Sequence, residues 1–174
     1  MVEADPESVK GAEAAFKLGL HNLYVREVEA AEAALRTAVR AGQPPWSRSA
    51  RVSLAQLLLR TGRAQQAAFE LRKAIAESPE DLVAAQARAF LVDAMRARGQ
   101  NKEAEALRLE HKAALARLAS AGGVDGALAH AWLGFEHKHD GERKPAKAAL
   151  SAALASGVLP EAERISVERA LEAL

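Results

Sequence analysis

The chain has 174 residues, of which alanine supplies about a quarter, and this length allows one domain that buries roughly 70% of the surface its unfolded form exposes. Lysine and arginine (24) nearly balance aspartate and glutamate (23), with both signs interspersed, so the clustered basic footprint of a nucleic-acid binder is missing. Cysteine is absent, which removes disulfides, thiol nucleophiles and cysteine zinc sites, and no apolar run approaches the roughly 20 residues of a membrane helix.

The opening Met1-Val2-Glu3-Ala4-Asp5-Pro6 is acidic and lacks the charged and apolar regions of a signal peptide. A cytoplasmic protein is expected, or a periplasmic one if a leader has been removed. Alanine, leucine, arginine and glutamate dominate, which favours helix. Helices this rich in alanine can approach one another closely.

Helix one is expected to start near Asp5-Pro6-Glu7-Ser8, with Asp5 as its cap and Pro6 in its first turn, and to run to about Val25. Ala12, Ala15, Phe16, Gly19 and Leu23 share one of its faces. Arg26-Glu27 makes the turn. A second helix carries Ala31, Leu35, Ala38 and Val39 and ends at Gly42. Pro44-Pro45-Trp46-Ser47 is a stiff connector with Ser47 as the next cap, and Trp46 either plugs it or is an exposed anchor.

The following pair is built on Val52, Leu54, Ala55 and Leu58, the turn Thr61-Gly62-Arg63, and then Ala67, Ala68, Leu71, Ala74 and Ile75. Ser78-Pro79 stops it, since proline cannot extend the helix. A third pair ends its first helix near Ala97 and turns through Arg98-Gly99-Gln100-Asn101. Its second helix is long, from Lys102 to about Ala121, with Ala104, Leu107, His111, Leu115 and Leu118 on one stripe.

Gly122-Gly123-Val124-Asp125-Gly126 is the strongest break in the sequence. Beyond it, His130, Leu133, Gly134 and His137 share a helix with Trp132, which is expected to pack between helices, with an exposed anchor as the other reading. Asp140-Gly141 turns, Pro145 opens a helix holding Ala146, Leu150 and Ala153. After Gly157 and Pro160 comes an amphipathic stretch with Ala162, Ile165, Val167, Ala170, Leu171 and Leu174 on its apolar side. It is read as a solvating cap on the end of a helix stack, with a dimerisation helix as the other reading.

One short text thus recurs four times: Leu18-Gly19, Arg26, Ala31, Leu35, Ala38; Leu54-Ala55, Gly62, Ala67, Leu71, Ala74, Pro79; Leu91-Val92, Gly99, Ala104, Leu107, His111; Leu133-Gly134, Gly141, Ala146, Leu150, Ala153, Pro160. The spacing is near the roughly 34 residues of a helix–turn–helix repeat. A single hairpin cannot bury its apolar face, so neighbours must stack. Small residues such as Gly19, Ala55 and Gly134 belong where paired helices cross, and Leu35, Leu71 and Leu150 fill the space between.

In these residues the chain resembles the tetratricopeptide repeat family over roughly residues 12 to 160. The third copy departs from the pattern, with Arg108 and His111 where the family usually has a bulky apolar residue and an alanine. The resemblance implies an all-α fold: a right-handed α-solenoid of about four repeats (about 12–45, 48–81, 85–118 and 127–160) plus a C-terminal capping helix (about 160–174), all in one domain. It also implies a concave groove lined by the first helix of each repeat, which binds a protein or peptide partner.

Carried onto this sequence, the groove positions are Phe16, Leu20, Leu23 and Tyr24, then Val52, Gln56, Leu59 and Arg60, then Gln86, Ala89, Asp93 and Arg96, and finally Leu128, Ala131, Phe135, Lys138 and His139. Phe16 and Leu20 replace the lysine and asparagine with which some family members clamp chaperone tails, so that function is not expected. An apolar groove suits an amphipathic helix or an extended segment with aliphatic anchors. Arg60 and Arg96 either orient an acidic group of the partner or are solvated arginines near turns. Phe16, Leu20 and Tyr24 either face the partner or pack on the first repeat's own second helix.

Catalysis is not expected. Phosphate loops and activated serine arrangements are missing from the sequence. His137 and His139 point about 200° apart on a helix, and His130 and His137 are about two turns apart, so no joint metal site is expected. The reading is a non-catalytic interaction module without cofactor, metal, nucleic acid or membrane insertion, favoured as a monomer and acting as an assembly scaffold or adaptor. The alternative is a dedicated chaperone of a secreted client, because small proteins of this family resemble the translocator chaperones of type III secretion.

Overall fold

The computed structural model describes Asp5 and residues 7–174. Among the described residues the regular elements are all α-helices: α1 (Val9–Tyr24), α2 (Val28–Ala41), α3 (Trp46–Arg60), α4 (Ala64–Glu77), α5 (Leu82–Ala97), α6 (Asn101–Ala119), α7 (Gly123–His139), α8 (Arg143–Ala155) and α9 (Glu161–Glu172). This is an all-α helical-repeat fold of the solenoid class.

The repeat is visible in the backbone of its turns. After α1, α3, α5 and α7, one residue takes a left-handed conformation: Arg26 (φ 66), Gly62 (φ 77), Gly99 (φ 75) and Gly141 (φ 75). The next residue's N–H then donates to the carbonyl five residues back, as in Glu27 to Asn22, Arg63 to Leu58, Gln100 to Met95 and Glu142 to His137. This is the bonding of a Schellman turn, which satisfies the orphan carbonyls of a helix end. Glycine adopts that φ without steric cost, whereas Arg26 accepts it under strain.

Several local expectations are corrected. Ser8 caps α1, its hydroxyl accepting from the Gly11 N–H. Asp5 instead accepts from Glu7 N–H through its carboxylate and from the Ser8 hydroxyl through its carbonyl. Pro6 and the Met1–Ala4 stretch fall outside the described residues. Ser47 is no cap; α3 already begins at Trp46, and Ser47 is buried inside it. Trp46 packs on Phe16 with ring centroids 5.9 Å apart.

The glycine-rich break is shorter than its composition suggests. Helix α7 starts at Gly123, and the Gly126 N–H donates to Gly122 C=O. Gly126 is buried, and a Cβ there would sit 3.2 Å from the Ala119 carbonyl oxygen. The glycine therefore admits a close approach to the end of α6.

The chain forms two compact units. The first extends up to Pro79 and includes Val83–Leu107; the second comprises Glu80–Leu82 and Arg108–Leu174. In the first, Leu35, Leu54, Leu58 and Leu71 form the centre of a cluster with Ala87, Leu91 and Ala104. Arg48 is buried there; it donates to the Ala74 carbonyl (2.7 Å) and the Ser78 carbonyl (2.5 Å), closing the end of α4. Arg51 bridges Glu70 and Glu77. In the second unit, Leu150, Ala153, Val167 and Ala170 form a smaller cluster across α7, α8 and α9.

The same close crossing is built in both units. A Cβ on Gly19 would meet Leu35 Cδ2 and Cγ at 2.7 Å, and one on Gly134 would meet Leu150 Cδ2 and Cγ at 2.6 Å. Both pairs are separated by the same interval in sequence, and Ala55 with Leu71 keeps it, both fully buried.

Candidate partner-binding surface

In the first unit, the expected groove residues divide between core and surface. Val52, expected to face a partner, is instead 3% exposed and belongs to the core. Phe16, Leu23 and Leu59 are half-buried and pack against that core. Leu20 (41% exposed) and Tyr24 (86%) stand one helical turn apart on α1 with their side chains in solvent.

On α3, Gln56 and Arg60 are exposed, and Arg60 has no ion-pair partner among the described residues. On α5, Gln86, Asp93 and Arg96 are exposed and Ala89 is half-buried. Arg96 lies 3.7 Å from Glu105 on α6, an exposed pair that contributes little.

A cleft of about 410 Å³ opens beside this face, bordered by Leu23, Arg26, Val28, Leu57, Arg60 and Thr61. Its apolar walls come from α1, α2 and α3, and Arg26 and Arg60 give its rim positive charge. Leu23 and Arg60 follow from the family pattern. Arg26, Val28, Leu57 and Thr61 are not among the positions that the pattern assigns to the groove. The first unit therefore offers an exposed aliphatic–aromatic pair on α1 and, bordered by Leu23 of the same helix, an apolar cleft with two guanidinium groups.

In the second unit, α9 occupies much of what the pattern assigns to a groove. Phe135 and Trp132 pack against the cluster containing Val167 and Ala170, and Ala131 is buried within it. Lys138 Nζ donates to the Ala170 carbonyl at 3.2 Å. Leu128 is half-buried and His139 exposed.

The third copy's departures have a purpose in this unit that sequence alone did not give. Arg108 Nη1 reaches Asp140 (2.6 Å) and Glu136 (3.3 Å), while Lys112 Nζ reaches Asp140 (2.7 Å) and Glu142 (3.2 Å). His137 bonds to Glu142 through Nδ1. His111 is buried, with Nε2 4.0 Å from Glu136. Hydrogen bonds from Lys112 and then Arg108 hold the Asp140 carboxyl down at a pKa of about 2. The signal was present in the sequence as charged residues at apolar repeat positions, but their partners lie about 30 residues away. Among the described residues, no group of three or more histidine or acidic side chains is placed to hold a metal, and no helix is long and apolar enough to cross a membrane.

No family model matches the sequence, and no curated protein matches it. Among solved structures, the crystal structure of BtubC (BKLC) from P. vanneervenii is similar, with a TM-score of 0.58 and 21% identity over 84% of this chain. The crystal structure of MamA protein is similar at a TM-score of 0.48 and 19% identity, over 84% of this chain and 73% of that one. The present chain spans 62% of the BtubC chain. The likeness to BtubC is one of fold, the all-α helical-repeat architecture.

Proposed function

We propose that the protein is a tetratricopeptide-type interaction module that binds a peptide or helix of a partner protein and acts without catalysis, as a scaffold or adaptor. The observation that carries this reading is the exposed Leu20–Tyr24 pair on α1, the helix whose Leu23 borders the cleft with Leu57 and Arg60. Apolar side chains left in solvent next to a concave apolar surface are characteristic of recognition sites. A partner's aliphatic anchor would bury there, and Arg60 would receive an acidic group flanking it.

The face formed by α1, α3 and α5 is the recognition surface of choice, since α9 already engages Phe135 and Lys138 in the second unit. Pull-down from the native cell with the wild type and with Leu20→Arg tests the proposal. The expected result is a partner recovered only by the wild type, with equal helicity and thermal melting for both proteins, because Leu20 is not part of the core. Recovery of the same partner by Leu20→Arg and by Tyr24→Ala would overturn it.

A further inference from the structure

The solvent face of α4 has features that the α1–α3 surface does not use. Phe69 is 55% exposed at its centre. It borders two open clefts, one of about 650 Å³ reaching Arg36, Arg63 and Glu70, the other of about 390 Å³ reaching Arg72, Lys73 and Arg98. Both clefts lie within the first unit.

The charges around them are unevenly matched. At the first cleft the carboxylates are already engaged: Glu70 with Arg51 at 2.6 Å, and Glu32 with Arg63 at 2.6 Å and Arg36 at 2.8 Å. Arg63, opposed by burial and helped by Arg36, holds the Glu32 carboxyl below its ordinary range. The second cleft has no acidic residue in its lining. Arg72 and Arg98 have no ion-pair partner among the described residues, and Lys73 Nζ sits 4.2 Å from the Phe69 ring centroid. Three cations thus line one cleft together with an exposed aromatic ring, in a chain whose net charge is only +1.

We propose that this face of α4 is a second recognition site, taking an acidic segment of a partner protein that seats one apolar side chain against Phe69. Arg72, Lys73 and Arg98 receive the carboxylates that flank this anchor. Charge complementarity of this kind sets orientation and speeds encounter, while the aromatic anchor supplies the buried contact. A peptide fits better than a nucleic acid, because the cations cluster at one cleft and do not run as a stripe along a phosphate backbone.

Fluorescence anisotropy with the whole protein tests the proposal. The probes are a labelled short peptide of aspartate and glutamate around a single leucine or phenylalanine, its lysine counterpart, and a single-stranded oligothymidylate. The acidic peptide alone should bind, more weakly as salt rises. Phe69→Ala, and separately Arg72→Glu with Lys73→Glu, should each weaken it by about tenfold or more. Leu20→Arg should leave its affinity unchanged, which separates this site from the α1–α3 surface. All of these positions are exposed, so unchanged melting curves accompany the comparison. Failure of the acidic peptide to bind, wild-type affinity in the Phe69 or the Arg72/Lys73 variant, loss of binding in Leu20→Arg, or tighter binding of oligothymidylate would each overturn the proposal.

Discussion

Replacing Gly134 by alanine sets two known effects against each other. Alanine in a helix interior gains about 1 kcal/mol over glycine. The new Cβ, however, would lie 2.6 Å from Leu150 Cδ2 and Cγ and 3.1 Å from the Leu150 backbone nitrogen. Carbon atoms prefer about 3.5–4.0 Å, so both the side chain and the backbone of α8 must retreat. Overpacking of this kind costs about 1–3 kcal/mol, and Gly134→Ala should therefore be destabilising by about 1 kcal/mol net. In a Leu150→Ala background, itself about 2–5 kcal/mol less stable, the obstructing side-chain atoms are gone and only the 3.1 Å contact with the backbone nitrogen remains. There the same Gly134→Ala change should be stabilising by less than about 1 kcal/mol, a coupling of about 1–2 kcal/mol between the two positions. Urea unfolding with Trp46 replaced by phenylalanine leaves Trp132 as the reporter, and Trp132 belongs to the same cluster as Leu150. A rise in the urea midpoint for Gly134→Ala in both backgrounds, with unchanged slope, would refute the close crossing.

Three further outcomes are expected. Arg26→Gly should raise stability by about 1 kcal/mol, because a non-glycine residue in the left-handed region costs about 1–3 kcal/mol and the added freedom of the unfolded chain returns part of it; denaturant melts showing a loss would contradict the strain at that turn. Arg48→Met should lower stability by about 2–3 kcal/mol through loss of charged hydrogen bonds to buried carbonyls, read in the same melts with the exposed Arg40→Met as control. For Asp140, the folded pKa of about 2 lies below its ordinary value of 3.8, so its contribution to stability is complete above about pH 4 and fades as pH falls toward about 2. Asp140→Asn should therefore be less stable than wild type at neutral pH, with the gap closing across that acid window; a gap that stays constant to pH 2 would show that the ion network contributes nothing.

Much of the helix order was legible because its signals are local. Leu18-Gly19, Leu54-Ala55 and Leu133-Gly134, with glycine at each later turn, mark hairpins by periodicity and backbone preference alone. The cap at Ser8 and the start of α7 were misplaced because capping competes between neighbours and because Gly123 and Gly126 read as breakers. Gly126 is helical since close packing against Ala119 needs the missing side chain, a tertiary demand that local preference does not contain. The surface was harder still. The family pattern assigns both Val52 and Tyr24 to the groove, yet one is core and the other almost fully exposed. Arg108 looked like a defect in the third copy; only the position of Asp140 makes it a partner in an ion network.

Site-specific photo-crosslinking from position 24 in the native cell examines the recognition surface most directly, since the Tyr24 side chain projects freely into solvent. A benzophenone amino acid in place of Tyr24 should give one discrete protein adduct, and adding Leu20→Arg should remove it. An absent adduct at position 24, or one that persists with Leu20→Arg, would contradict binding on the α1–α3 face.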